Sequence, residues 1–291
     1  MSMSEANSAI ELTIDPRDRS VGAGTVRRLL PFRTHRMVGP FTLLDIMGPE
    51  DLGPGQGMDI DAHPHIGLST LTYLLEGRAL HRDSTGAVQT IEAGAVNWMT
   101  AGSGVTHTER THPNDRGINL HVLGVQIWVA LPGENENEAP RFEHCDAHEV
   151  PELTVNGAIV RIAAGAGWNA ESPVIGSSPL VLADIRLDDS VLEVPTDHLE
   201  RAVLALEGDI RLGGTALATG SLAVLEPNSR PSLSGTGTAL VIGGEPVGRR
   251  HIWWNFVHSD PDVIEDAKAR WLRQDFPTVP GDHGIFVPLP G

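Results

Sequence analysis

The residues best suited to chemistry are two short pairs about forty positions apart, His63 and His65 in AHPHIG and His107 and Glu109 in GSGVTHTE. Each pair has i, i+2 spacing. Alternate side chains of a β-strand point to the same face, so each pair can aim both of its ligands into one cavity. Three imidazoles and one carboxylate form a donor set that suits iron, nickel, copper or zinc. The lack of thiolate argues against a closed structural zinc site. Four protein donors on an ion that accepts six leave room for a substrate, so the expected centre is a working metal site. Glu109 has two possible roles, as a fourth ligand first and as a proton acceptor second.

The elements that must position these residues are strands. Gly and Pro are frequent, aromatics are scarce, and from Ala62 onward apolar runs end at Gly or Pro about every ten residues: LSTLTYLLEG, RALHRDSTG, AVQTIEAG, AVNWMTAG, INLHVLGVQIWVALP. That rhythm predicts an all-β sandwich or barrel. The second half repeats it in ERAVLALEGDIRLGG, TALATGSLAVLEP and GTALVIGGEP, with LALEGDIRLGG echoing YLLEGRALH but without a second HxH or HxE. One domain is therefore expected to be loaded and the other blank. The boundaries read as a mobile polar segment over 1–20, a metal-binding domain over 21–135, a polar connection over 136–150, a second domain over 151–247, and a helix with an extended tail over 248–291. The helix should start near 260, capped by Ser259 or Asp260 with Pro261 in its first turn, and stop before Pro277. Trp253, Trp254 and Trp271 should clamp it to the body.

Composition removes several functions. The chain has 291 residues, a formal charge of −17 and a single lysine, Lys268, so it lacks the clustered cations that direct nucleic-acid binding needs. No run of about eighteen apolar residues and no signal-like N-terminus is present, which gives the expectation of a cytoplasmic protein without membrane contact. Cys145 is alone, so no intrachain disulfide can form.

The segments GPFTLLDIMGP, HPHIGLSTLTYLLEG, HRDSTG, NWMTAGSGVTHTE and VQIWVALP, in this order, resemble the pirin family of bicupins, over roughly residues 20 to 290. Gly57, His63, His65 and Gly77 also fit the first cupin motif, and Gly104 and His107 part of the second. The resemblance implies two cupin-type β-barrels side by side, with one divalent metal in the first, held by His63, His65, His107 and Glu109. Iron(II) is the first candidate; nickel, manganese, copper, cobalt and zinc are the others. It implies either oxygenative ring cleavage of a flavonol, as in quercetin 2,3-dioxygenases, or an iron-dependent regulator that binds a protein partner according to metal redox state. Many pirins read HPHRGFET where this chain has HPHIGLST, so Ile66 and Ser69 should make the metal-site mouth more apolar.

For the other residues ordinary packing competes with a role at the site. His81 and His121 are candidates for the layer behind the ligands, and Trp98 and Met99 for the wall of an aromatic pocket. Tyr73, Leu75 and Trp128 are read as core. The remaining eight histidines are read as ordinary surface or core residues, the acidic stretch Glu134 to Glu138 as a solvated loop, and Arg27 and Arg28 as a surface pair.

Overall fold

The computed structural model describes residues 9–22 and 24–290. Strands dominate, and all pairings between named strands are antiparallel. Seven strands of the first domain form one sheet, in the spatial order Arg141–Cys145, Val96–Thr100, Leu68–Glu76, Leu120–Ala130, Phe41–Leu52, Gly24–Leu30, Arg17–Val21. A second sheet of four strands runs Ile60–His65, Val105–Thr111, Arg78–Asp83, Val88–Glu92. The second domain is built on one long sheet through Ile10–Ile14, Leu222–Leu225, Glu200–Leu212, Ser232–Gly244, Leu180–Glu193, Ala158–Gly167 and Glu152–Val155.

The period of two decides what each face of the seven-stranded sheet does. Leu44, Ile46, Leu71, Tyr73, Val125 and Ile127 project to one side and pack with Ile14, Leu180, Leu204 and Leu240 of the second domain. Burying one such aliphatic side chain contributes about 1.5–3 kcal/mol before the entropy of ordering it is subtracted. The neighbouring positions Leu43, Asp45, Gln126 and Trp128 project to the other side and line a cavity between the two sheets of the first domain.

Two boundary expectations are corrected. Part of the segment expected to be mobile over 1–20 forms strands, because IELTI alternates apolar and polar residues. Ile10–Ile14 pairs with Leu222–Leu225, and Ile14 is fully buried. Residues 1–8 lie outside the described residues. The connection expected over 136–150 carries the strand Arg141–Cys145, which adds an edge to the first sheet by pairing with Val96–Thr100. Within the acidic stretch, Glu136 is buried, paired with Arg250 at 2.9 Å, and accepts hydrogen bonds from the backbone N–H and hydroxyl of Ser259.

Among the described residues, one α-helix is present, Pro261–Leu272, besides a short 3-10 turn at Pro113–Asp115. Asp260 caps it by accepting from the Asp262 N–H at 2.9 Å, and Pro261 occupies its first turn, where no N–H is needed. Ile264, Ala267 and Trp271 bury against Ile66, Phe256 and Phe276, with Trp253 and Trp254 packed alongside. The tail then returns to the first domain. Ala62 donates to Ile285 O and accepts from the Val287 N–H, so the tail runs beside the strand that carries His63 and His65. No helix of the described residues is long and apolar enough to cross a membrane.

Candidate metal centre

Strands Ile60–His65 and Val105–Thr111 lie side by side with His63 directly opposite His107. Cross-strand partners share a face, and His65 joins them by the period of two. The three buried imidazoles converge: one ring nitrogen from each lies within 4.8 Å of the others. Ring centroids are 4.2 Å apart for His63 and His107, 5.0 Å for His65 and His107, and 5.1 Å for His63 and His65.

Hydrogen bonding fixes which nitrogens are free. His63 Nδ1 lies 2.8 Å from Asp61 O, and His65 Nδ1 lies 3.0 Å from Asn255 O. A carbonyl oxygen can only accept, so both Nδ1 atoms carry hydrogen and both Nε2 atoms present lone pairs. His65 Nε2 and His107 Nε2 are 3.1 Å apart, and His107 Nδ1 is buried without a partner. Burial is the leading cause that lowers all three pKa values, to about 4 for His63 and well below the ordinary imidazole range for the other two. Neutral imidazoles are the metal-binding form. Two nitrogens bound at about 2.1 Å to one ion at near right angles sit about 3 Å apart, which the His65 to His107 separation matches. The residues therefore fit a metal ion.

Glu109 stands apart from the triad. Its carboxylate is not among the gathered ligand atoms, although it lines the same cavity. The local reason is a register shift: His107 faces His63 but Glu109 faces Ile60, so the partner strand carries one extra residue between them. No described residue hydrogen-bonds the Glu109 carboxylate, and burial alone pushes its pKa up to about 7.

The cavity above the triad measures about 290 Å³ and is also lined by Arg28, Asp45, Gln126, Trp128, Trp254, Asn255 and Val287. Its volume lies at the small end of ligand pockets, about 300 Å³. Trp128 meets His65 edge to face at 5.1 Å, so it is a wall of the site rather than only the core residue expected. Arg28, read from sequence as half of a surface pair, grips Asp45 through two bonds of 2.8 and 2.7 Å at this wall. Trp254 and Asn255 come from the turn between His251–Trp253 and Phe256–His258, and Val287 from the tail. The alternation of Gln126 and Trp128 could have marked those two as sharing a face. Nothing local could have marked Asn255, which is 190 residues from its partner His65.

The remaining candidates fall elsewhere. His81 is buried behind His107, with ring centroids 5.3 Å apart, where it donates to Asp83 at 3.0 Å and stacks on Phe142. Trp98 lies on the opposite face of the large sheet, in the core between the domains, and donates to Thr100 Oγ1. Met99 packs with Ala101 and Val105 and does not line the cavity. His121 is half-exposed on the outside and pairs with Asp51 at 2.7 Å, because its odd spacing from the inward positions 126 and 128 turns it to the other face of the strand. Ile66 and Ser69 do not form the cavity mouth either. Ile66 packs under the helix, and the Ser69 hydroxyl donates to Thr100 Oγ1 at 3.2 Å.

Two antiparallel domains, one with a buried imidazole triad beside a cavity, define a bicupin with a potential metal site in its first half. The pirin family model matches residues 23–129, and that of the pirin C-terminal cupin domain matches residues 182–277. A pirin-like protein of Caulobacter vibrioides is 44% identical over 97% of this chain and 99% of its own length. A crystal structure of quercetin 2,3-dioxygenase from Acinetobacter baumannii superposes with a TM-score of 0.89 at 32% identity, covering 96% of this chain and 95% of that one. The bacterial pirin YhhW of Escherichia coli, solved in complex with nickel(II), shares the fold at a TM-score of 0.63 and 19% identity, over 81% of this chain and 99% of its own. The chain belongs to the pirin family.

Proposed function

We propose that this protein is a metal-dependent dioxygenase of the quercetin 2,3-dioxygenase type, opening the oxygen-bearing ring of a flavonol or a similar enediol in the cytoplasm. The observation that carries this reading is the meeting of three neutral, buried imidazoles with an aromatic-walled cavity. A regulator that only sensed metal redox state would not need such a chamber.

His63, His65 and His107 would hold the ion, with iron(II) as the first candidate. When bound, it supplies Lewis acidity that lowers the pKa of a flavonol hydroxyl. Trp128 and Trp254 offer flat apolar surface to the substrate's rings. The Asp61 and Asn255 carbonyls hold His63 and His65 in the tautomer that keeps Nε2 free. Glu109, on the same cavity wall and unpaired, takes the hydroxyl proton. Its position outside the triad favours this role over that of fourth ligand.

Anaerobic loading with iron followed by admission of air tests the proposal. Quercetin absorbance should fall and carbon monoxide should appear. No consumption of quercetin or another enediol with iron, nickel, manganese, copper, cobalt or zinc would refute it, and would favour the partner-binding regulator.

A further inference from the structure

Behind Glu109 lies a second, smaller chamber, separated from the triad cavity by a wall that both share: Ile60, Glu109 and Gln126 line each of them. Its volume is about 30 Å³, and its lining residues are buried or half-buried. The lining is chiefly the apolar cluster of Met47, Met58, Leu74, Ile91 and Val122.

The chamber is large enough for a small guest, and most of its lining is apolar. A water needs about 10–15 Å³ and two to four polar partners, whereas apolar cavities stay dry and accept apolar guests such as xenon. Most of the polar groups on its edge are already committed. Arg78 is bound twice to Asp115 at 2.6 Å, and Arg110 is bound to Asp61 and Asp282. The Thr72 hydroxyl donates to Gln126, and the Thr111 hydroxyl accepts from the Met58 N–H. The Glu109 carboxylate and the Gln126 amide N–H are left, and both residues belong equally to the triad cavity.

We propose that this chamber is a docking site for dioxygen, which passes from it to the imidazole triad beside Glu109. The identity of the guest rests on the oxygenase reading above; the chamber does not. An apolar diatomic gains by leaving water for such a lining, and its store lies one wall from where an oxygenase would consume it. Flavonol can then fill the front cavity without shutting oxygen out.

Two measurements test this. Dissolved dioxygen is paramagnetic, so in methyl-labelled, metal-free protein under oxygen pressure the methyls of Met58, Leu74, Ile91 and Val122 should relax faster than those of Ile162 and Ile185 in the second domain's core. Equal enhancement at both sets would overturn the proposal. In the iron-loaded protein, Ala79→Leu, which fills the chamber from a position remote from the triad, should raise KM for dioxygen several-fold and leave KM for the flavonol unchanged. An unchanged KM for dioxygen would overturn the passage to the triad. Selective relaxation without any oxygen uptake by the loaded wild type would sink the oxygenase reading while leaving the dioxygen site in place.

Discussion

The two domains follow one plan of antiparallel strands and fill its inside in opposite ways. In the first, the inward positions between the sheets hold His63, His65, His107, Glu109, Asp45 and Gln126 around open space. In the second, they hold Val160, Ile162, Val181, Ala183, Ile185, Val203 and Val241, packed without a histidine among them. Its most deeply buried arginine among the described residues, Arg201, serves structure: the guanidinium donates to Pro195 O, Ser229 O and Glu226 O at 2.9, 2.8 and 3.2 Å. His198 likewise donates to Ala166 O. The strand framework is thus indifferent to chemistry, and a few inward side chains decide it. The first domain gives up stability for its site, because burial drives His63 down to about 4 and Glu109 up to about 7. The second keeps the full return of apolar burial.

The contrast can be broken most severely at the triad. His107→Ala removes one of three converging imidazoles and should abolish stoichiometric metal binding, measured by elemental analysis after anaerobic loading and desalting. A full complement of metal in that variant would erase the distinction between the halves. The matching change in the second domain is Ile162→Ala. It should lower unfolding stability by about 2–5 kcal/mol, read by denaturant melts, while metal content stays at one per chain. Loss of metal there would mean the second half takes part in binding.

A smaller effect sharpens the electrostatic side. The folded, metal-free protein holds the Glu109 proton more tightly than the unfolded chain does. Stability from this group therefore falls as pH rises from the ordinary glutamate value of 4.5 towards about 7, and levels off above that. Glu109→Gln cannot ionise. Relative to the parent it should gain about 1–3 kcal/mol above pH 7, with the gain fading towards pH 4.5. The same variant should keep its metal and lose turnover. Unchanged turnover would remove Glu109 as the proton acceptor.

How much of this could be read from sequence depends on the range over which each feature is determined. The HxH and HxE pairs were legible because strand periodicity acts over two residues, and the bounds of helix Pro261–Leu272 because Asp260 and Pro261 act within one turn. Trp98 was open to misreading because the large sheet is buried on both faces. Alternation gives two faces but not which one meets the cavity and which meets the other domain. The strand Ile10–Ile14 carries a local signal in the alternation of IELTI, but five residues beside a polar N-terminus leave it weak, and its partner Leu222–Leu225 is distant in the chain. Trp254, Asn255 and Val287 reach the site from the C-terminal hairpin and tail by contacts that no local pattern records. Likewise Ile66 and Ser69 sit next to the ligands in sequence but turn towards the helix and the inner strand.

Anomalous diffraction at the iron edge from crystals of anaerobically loaded protein bears most directly on the claim that one half carries the metal. The expected result is a single strong peak in the first domain, within bonding distance of the Nε2 atoms of His63, His65 and His107, and none in the second. A stoichiometric peak elsewhere, with those three nitrogens empty, would contradict it.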